Sequence, residues 1–422
     1  MQQIPHQHLS SAQQQLLLVV GHQRAELAAR ISSLSTTEWE TLLNEVKAQH
    51  LETFFYQELR RLGGATAVPS LLRDQLVEQH RQQTYRNFQL YQEFFRIHDA
   101  LAAAGMPAIP LKGMHVAATV YENIGERAVG DLDILIPLDA LELIAEHAAE
   151  LGYTPTKPVM LETVTRTSHH LPPFVHREKK ILVEWHWHIA PPQRHHHLAI
   201  DPFWRRARII SLAGKETLTF SPEDLLCHTA HHLSYQHEFS FGMRSLCDIR
   251  HIVACYRDSL DWDAVVARTR TWQLERGFYL AFRIAREFFA ADIPTAVLEA
   301  LRPADIDAHI LELAATQLFV DPHTFSRQGA GALLEIRNAK GWRAKAFNMK
   351  EAVFPSEQKM FRRYGISPGR LSAAGRITFH WRRLLPVLLE MGRRRWQGTE
   401  AVTPIVQRRS ALGSWMNRRN ND

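Results

Sequence analysis

Between Met106 and Tyr153 the sequence passes from a brief apolar run, MPAIPLKG, to a helix-like MHVAATVY. After a Gly/Asn loop it becomes an alternating DLDILIP and then the amphipathic LDALELIAEHAAELGY. Strand, helix, strand and helix in such quick succession call for a small mixed α/β unit. The last segment places Leu141, Ile144, Ala145, Ala148 and Leu151 on one helical face, with Asp139 near the N-cap and Gly152 past the end. Two hairpins are expected next. HHLPPFVHREKKILVEWHWHIA turns at Arg177–Lys180, and ARIISLAGKETLTF turns at Gly214-Lys215.

The flanks read differently. EWETLLNEVKAQHLETFFYQELRRLGG has helical spacing and closes at Gly63-Gly64. PSLLRDQLVEQHRQQTYRNFQLYQEFFRIHDALAAAG opens with proline and stops at Gly105. SPEDLLCHTAHHL restarts the helices, with Ser221 as N-cap, Pro222 at the first helical position and Asp224 completing an S-x-x-D start. The expected fold is therefore α+β, a small mixed sheet between large helical regions. Its expected parts are a helical region 1–104, an α/β core 105–220, a helical region 221–330 and a basic, partly helical tail 331–422.

Charge supports this division. The chain is +6 overall, but residues 358–422 carry 14 Lys/Arg against 3 Asp/Glu, which leaves the rest net acidic. Nucleic-acid binding by the whole body therefore does not follow from the basic pI. The three cysteines (Cys227, Cys247, Cys255) have no metal spacing and form an odd set, so a reducing cytoplasm is expected rather than a disulfide scaffold. The short apolar run near the N-terminus has no basic leader, a poor match to a signal peptide. No apolar stretch approaches the ~20 residues of a membrane span.

The alternating strand carries the chemistry. Successive strand side chains point to opposite faces, so Asp131 and Asp133 point together while Leu132 and Ile134 face the core. Two carboxylates so close repel one another unless a cation lies between them. Mg²⁺ prefers such oxygen ligands and is commonly shared with substrate phosphates. A third carboxylate is available at Glu184 in ILVEWHWHI, and Lys112 and Arg127 supply cations for an anionic substrate. Gly113 would let a phosphate approach the backbone. Asp-x-Asp also occurs at Asp261/Asp263 and Asp305/Asp307 in helix-like sequence, so the ordered set is informative where the bare pattern is not.

That order resembles the minimal core of the DNA polymerase β-like nucleotidyltransferases. More closely, it is similar to a bacterial family of uncharacterised nucleotidyltransferases. The resemblance lies in PLKG (Pro110–Gly113), Arg127, DLDILI (Asp131–Ile136) and EWHW (Glu184–Trp187). It continues in SPEDLLCHTAHHL, RSLCDI (Arg244–Ile249) and FPSEQKMFRRYG (Phe354–Gly365), and covers about residues 35 to 390. It implies transfer of a nucleoside monophosphate from an NTP such as ATP to an acceptor, with two Mg²⁺ ions and release of pyrophosphate. Asp131, Asp133 and Glu184 would be the catalytic metal ligands. Lys112, Gly113 and Arg127 would bind phosphates, and His186 would support the carboxylates. The acceptor is left open among a sugar, another small molecule, a peptide and an RNA end.

Two other readings stay open at this point. His186 and His188 share a strand face with Glu184, the pattern of a zinc metallohydrolase. His228 and His232 stand at i,i+4, but HTAHH lacks the Glu of H-E-x-x-H, and His195–His197 read as a loop. The third reading is a catalytically degenerate binding protein. Its tail, with GRRRW, QRRS and NRRNND and the interleaved Trp381, Trp396 and Trp415, would dock on an anionic membrane surface or an acidic partner.

Overall fold

The structure is a computed structural model. It describes residues 9–21, 30–192, 197–212, 214–240, 242–320, 342, 346, 349–350, 353–357, 360, 369–396 and 402–418. The chain divides into two compact units. The first comprises residues 1–156, 160–319 and 418–422, and the second residues 157–159 and 320–417. His195, His196 and most of FPSEQKMFRRYG lie outside the described residues.

The first unit is α+β, a mixed five-stranded sheet among many helices. Its strands are β1 (Ile109–Pro110), β2 (Leu132–Leu135), β3 (Tyr153–Pro155), β4 (Phe174–His176) and β5 (Leu182–His186), in the order β1-β2-β5-β4-β3. β2 and β5 run parallel at the centre, and the other neighbours are antiparallel. Leu132, Ile134, Val183 and Trp185 are all nearly inaccessible, as a central strand pair covered by helices requires. The second expected hairpin forms a separate pair, β6 (Arg208–Leu212) and β7 (Lys215–Thr219), closed by Gly214 at φ 82°.

Helices surround the sheet as the apolar periodicity predicts, with local differences. EWETLLNEVKAQHLETFFYQELRR is two helices, Thr36–Ala48 and Glu52–Arg61, separated where His50 takes a left-handed φ of 53°. Ser70–Ala103 is a single long helix ending before Gly105 at φ 70°. Asp139 does not cap the helix Leu141–Glu150, because a short 3₁₀ turn, Leu138–Ala140, precedes it. Ser221 caps Pro222–His231 through the Asp224 N–H, but the Asp224 carboxylate does not return to the cap. It is drawn off by Arg206 and Arg268.

One buried carboxylate ties the long helix to the sheet. Glu93 accepts from Tyr153 Oη at 2.9 Å and pairs with Arg96 and Lys179. Burial pushes its pKa up, but these three donors outweigh burial and hold it at about 2, below the ordinary 4.5. A depressed carboxylate stabilises the fold above its unfolded pKa, and that contribution disappears as pH falls through the folded value. Glu93→Gln is therefore expected to cost about 2 kcal/mol at pH 7, discounted for the partly exposed Arg96 and Lys179. Urea unfolding should show the gap between variant and wild type closing from pH 4.5 toward about 2. A gap that stays constant with pH would refute this account.

The described part of the second unit includes the helices Ala373–Trp396 and Val402–Met416. Arg376 pairs with Glu357 at 2.8 Å, and Trp381 Nε1 donates to the Val353 carbonyl at 3.1 Å. Among the described residues no helix is long and apolar enough to cross a membrane.

Candidate functional site

The parallel pairing of β2 and β5 sets the site. Its register places Asp133 opposite Glu184 and Leu135 opposite His186. Paired residues on adjacent parallel strands share a face, so Asp133, Glu184 and His186 meet on one side of the sheet. Asp131 lies just before β2 and lines the same cleft. Among the described residues, Asp133, Glu184 and His186 each bring a ligand atom within 4.8 Å of the others.

Lys112 enters from the neighbouring strand. Leu111 N–H pairs with the Asp133 carbonyl at 2.8 Å, and a helix, Lys112–Thr119, begins at once. Lys-Gly is thus the first turn of a helix rather than a flexible loop. Lys112 has φ 50°, a left-handed conformation that is uncommon away from glycine and concentrates at functional sites. Its ammonium donates to Asp133 Oδ1 at 2.8 Å and stands 3.9 Å from Glu184 Oε2. His186 Nε2 lies 2.8 Å from the same Asp133 oxygen and 3.5 Å from Glu184 Oε2.

The loop before β2 is clamped by the long helix. Asn87, fully buried, donates to the carbonyls of Ile124 and Arg127, the latter at 2.8 Å, and accepts from Val129 N–H at 3.3 Å. Gly125 faces the same helix so closely that a Cβ there would lie 1.9 Å from Thr84 Oγ1. Any larger residue would unseat the loop. Arg127 is thereby directed onto Asp248, with Nε and Nη2 each 2.9 Å from a carboxylate oxygen. Tyr121 Oη donates to Asp248 at 2.8 Å. A Cβ on Gly113 would come 3.3 Å from Arg127 Nη1, so the absent side chain leaves room for the guanidinium.

The carboxylates have unequal electrostatics. Burial raises the Asp131 pKa, and the Asp133 charge adds to it, bringing it to about 6. Burial also acts upward on Asp133, but Lys112 and His186 overcome it and hold that carboxyl well below its ordinary value. Burial acts upward on Glu184 too, but the His186 hydrogen bond together with Lys112 and His170 lowers it. Lys112 is raised despite burial, because Asp133 and Glu184 stabilise its charge. Two ionised carboxylates and an imidazole on one face form a donor set that fits a divalent cation, the carboxylates suiting Mg²⁺ and the imidazole also suiting Zn²⁺.

Asp131, Asp133, Glu184 and Lys112 line a cleft of about 730 Å³, within the range of small-molecule sites. Its far wall is rich in histidine. His169 and His170 are both tilted against His186, with ring centroids 5.7 and 5.0 Å from it. His228 and His232 come from the end of Pro222–His231 and from a single π-helical turn, His232–Gln236. Such turns are frequent at functional sites. Burial drives His169 down to about 2 and His228 and His232 well below their ordinary value, so this wall is neutral at pH 7.

A sequence model of the family described as uncharacterised nucleotidyltransferase matches residues 35–290, which include Lys112, Arg127, Asp131, Asp133, Glu184 and Asp248. The chain belongs to that family. No curated protein matches the chain. In this family member the other Asp-x-Asp pairs do helical work. Asp261 and Asp307 cap helices through the N–H groups of Ala264 and Ile310, and Asp305 pairs with Arg276. His188 accepts the Ala190 N–H on Nδ1 at 3.0 Å and is not part of the three-ligand group.

Sequence reasoning overlooked Asp248, Arg244, His169 and His170 as site residues. Asp248 and Arg244 lie in RSLCDI, a family-like motif within an apparently ordinary helix, and only their position in the fold gives them a role. Nothing local distinguishes His169 and His170 from the other histidines of a 24-histidine chain.

Proposed function

We propose that this protein is a Mg²⁺-dependent nucleotidyltransferase that moves an NMP group from an NTP to a small-molecule or chain-end acceptor. The observation that carries the reading is the convergence of Asp131, Asp133, Glu184 and Lys112 in one cleft of a family member. Asp131, Asp133 and Glu184 would hold the cations. Bound there, Mg²⁺ would neutralise phosphate charge and ease deprotonation of the acceptor. The acceptor oxygen attacks the α-phosphorus as its proton passes to Glu184. The bond from the α-phosphorus to the bridging oxygen breaks, and its electron pair leaves with pyrophosphate. His186 and Lys112 fix the orientation of Asp133. Lys112 and Arg127 steady the phosphates, and Gly113 leaves the space in which Arg127 lies.

The neutral histidine wall favours an uncharged, hydrogen-bonding acceptor group beside the carboxylates. We place the reaction in the cytoplasm, with the basic tail as a candidate contact for an anionic surface. The test is a labelled-NTP transfer screen against cell extract, run with Mg²⁺ and with EDTA. Label incorporated only with Mg²⁺ is the expected outcome. Equal incorporation in EDTA, or none at all, would refute the reading. His186 in the ligand group keeps a zinc hydrolase as the competing assignment, and stoichiometric zinc in the purified protein would favour it. Failure to bind any NTP would favour a non-catalytic binding protein.

A further inference from the structure

Three cationic side chains line the cleft: Lys112, Arg127 and Arg244. Lys112 is hydrogen-bonded to Asp133 and Arg127 to Asp248. Arg244 makes no hydrogen bond or ion pair among the described residues. Its position is unfavourable in three ways. It stands in the first turn of the helix Gly242–Cys255, where the helix dipole disfavours a cation. It is half-buried. Burial and the like charge of Arg127 bring its pKa down to about 10, although the carboxylates of Asp248, Asp131 and Glu52 act the other way. A half-buried guanidinium that lines the cleft with its hydrogen bonds unmade is a sign of function, because an anion would accept them and meet its charge. Ser245, next to it, lines the same cleft, and the start of the helix adds positive potential.

We infer that Arg244 binds the β- and γ-phosphates of the nucleotide, so that the first turn of Gly242–Cys255 holds the pyrophosphate leaving group. This rests on the nucleotidyl-transfer reading. As the bond from the α-phosphorus to the bridging oxygen breaks, negative charge gathers on the pyrophosphate. Arg244 meets that charge, while Asp131, Asp133 and Glu184 serve the α-phosphate and the acceptor.

The full chain and its Arg244→Met variant are compared by calorimetric titration with Mg²⁺ and three probes: inorganic pyrophosphate, AMP and α,β-methylene-ATP. Loss of one charge-assisted phosphate contact should weaken pyrophosphate and α,β-methylene-ATP by about thirtyfold and leave AMP unchanged. Without ligand the variant should melt within a few degrees of the wild type, because no hydrogen bond of the described residues is broken. Equal binding of pyrophosphate by both proteins overturns the inference and leaves the transferase reading intact. Loss of AMP binding alongside pyrophosphate, or a variant melting far below wild type, overturns it as well. If the wild type binds none of the probes, the transferase reading fails together with it.

Discussion

Asp131→Asn and Asp133→Asn are each expected to lower nucleotidyl transfer by about a thousandfold, equivalent to roughly 4 kcal/mol of barrier. Asparagine keeps the size and one oxygen of the carboxylate but loses the charge that holds a cation against phosphate. The two variants should separate in stability. Asp133 accepts from Lys112 and His186, both at 2.8 Å, so its neutralisation leaves the ammonium with only Glu184 at 3.9 Å. Metal-free Asp133→Asn should lose about 2 kcal/mol at pH 7. Asp131 has the opposite sign. Its folded pKa of about 6 lies above the ordinary 3.8, so the fold holds a proton the unfolded chain releases, and above pH 6 the charge weighs against folding. Metal-free Asp131→Asn should therefore melt no lower than wild type. The checks are single-turnover transfer and urea unfolding in chelator. Undiminished turnover in both variants would remove the catalytic assignment.

Asp224→Ala should give the largest loss of stability, about 4 kcal/mol. Asp224 is fully buried and receives Arg206 through two bonds of 2.8 and 2.9 Å and Arg268 through one of 3.0 Å. Arg206 ends the helix Asp201–Arg206 and Arg268 belongs to Trp262–Thr271, so one carboxylate joins three helices. Alanine would leave two guanidinium groups without their shared counter-ion. Glu223, 3.8 Å from Arg268, offers only partial replacement. Urea unfolding at pH 7 measures the effect, and a loss under about 1 kcal/mol would show that water or Glu223 compensates the arginines. The same helix carries His228 and runs into the π turn, so the variant should also loosen the histidine wall of the cleft.

Much of the fold was legible because it follows local rules. Both hairpins turn where charged or glycine residues interrupt alternation, and the long helix stops at Gly105. Where reading failed, a distant partner had changed a residue's work. Asp224 reads as half of a capping box until Arg206 and Arg268 claim it. Arg127 reads as a loop charge near Asp131, yet Asp248, far along the chain, holds its guanidinium. Lys112 reads as a cation for an anionic substrate, yet it opens a helix at positive φ and bridges two carboxylates.

Sequence alone determined that Leu132 and Ile134 face the core while Asp133 points the opposite way, since alternation is a property of the extended backbone; Asp131 itself stands just before the strand. It also determined the α+β class and, through PLKG, DLDILI and EWHW, the family. Only the tertiary structure decided that Glu184 sits level with Asp133, that His186 joins them, and that Arg244 lines the cleft without a hydrogen-bonded partner among the described residues. Strand register, ion-pair choice and burial arise from packing between segments far apart in the chain. Periodicity over a few residues carries no information about which of many carboxylates a given cation will meet.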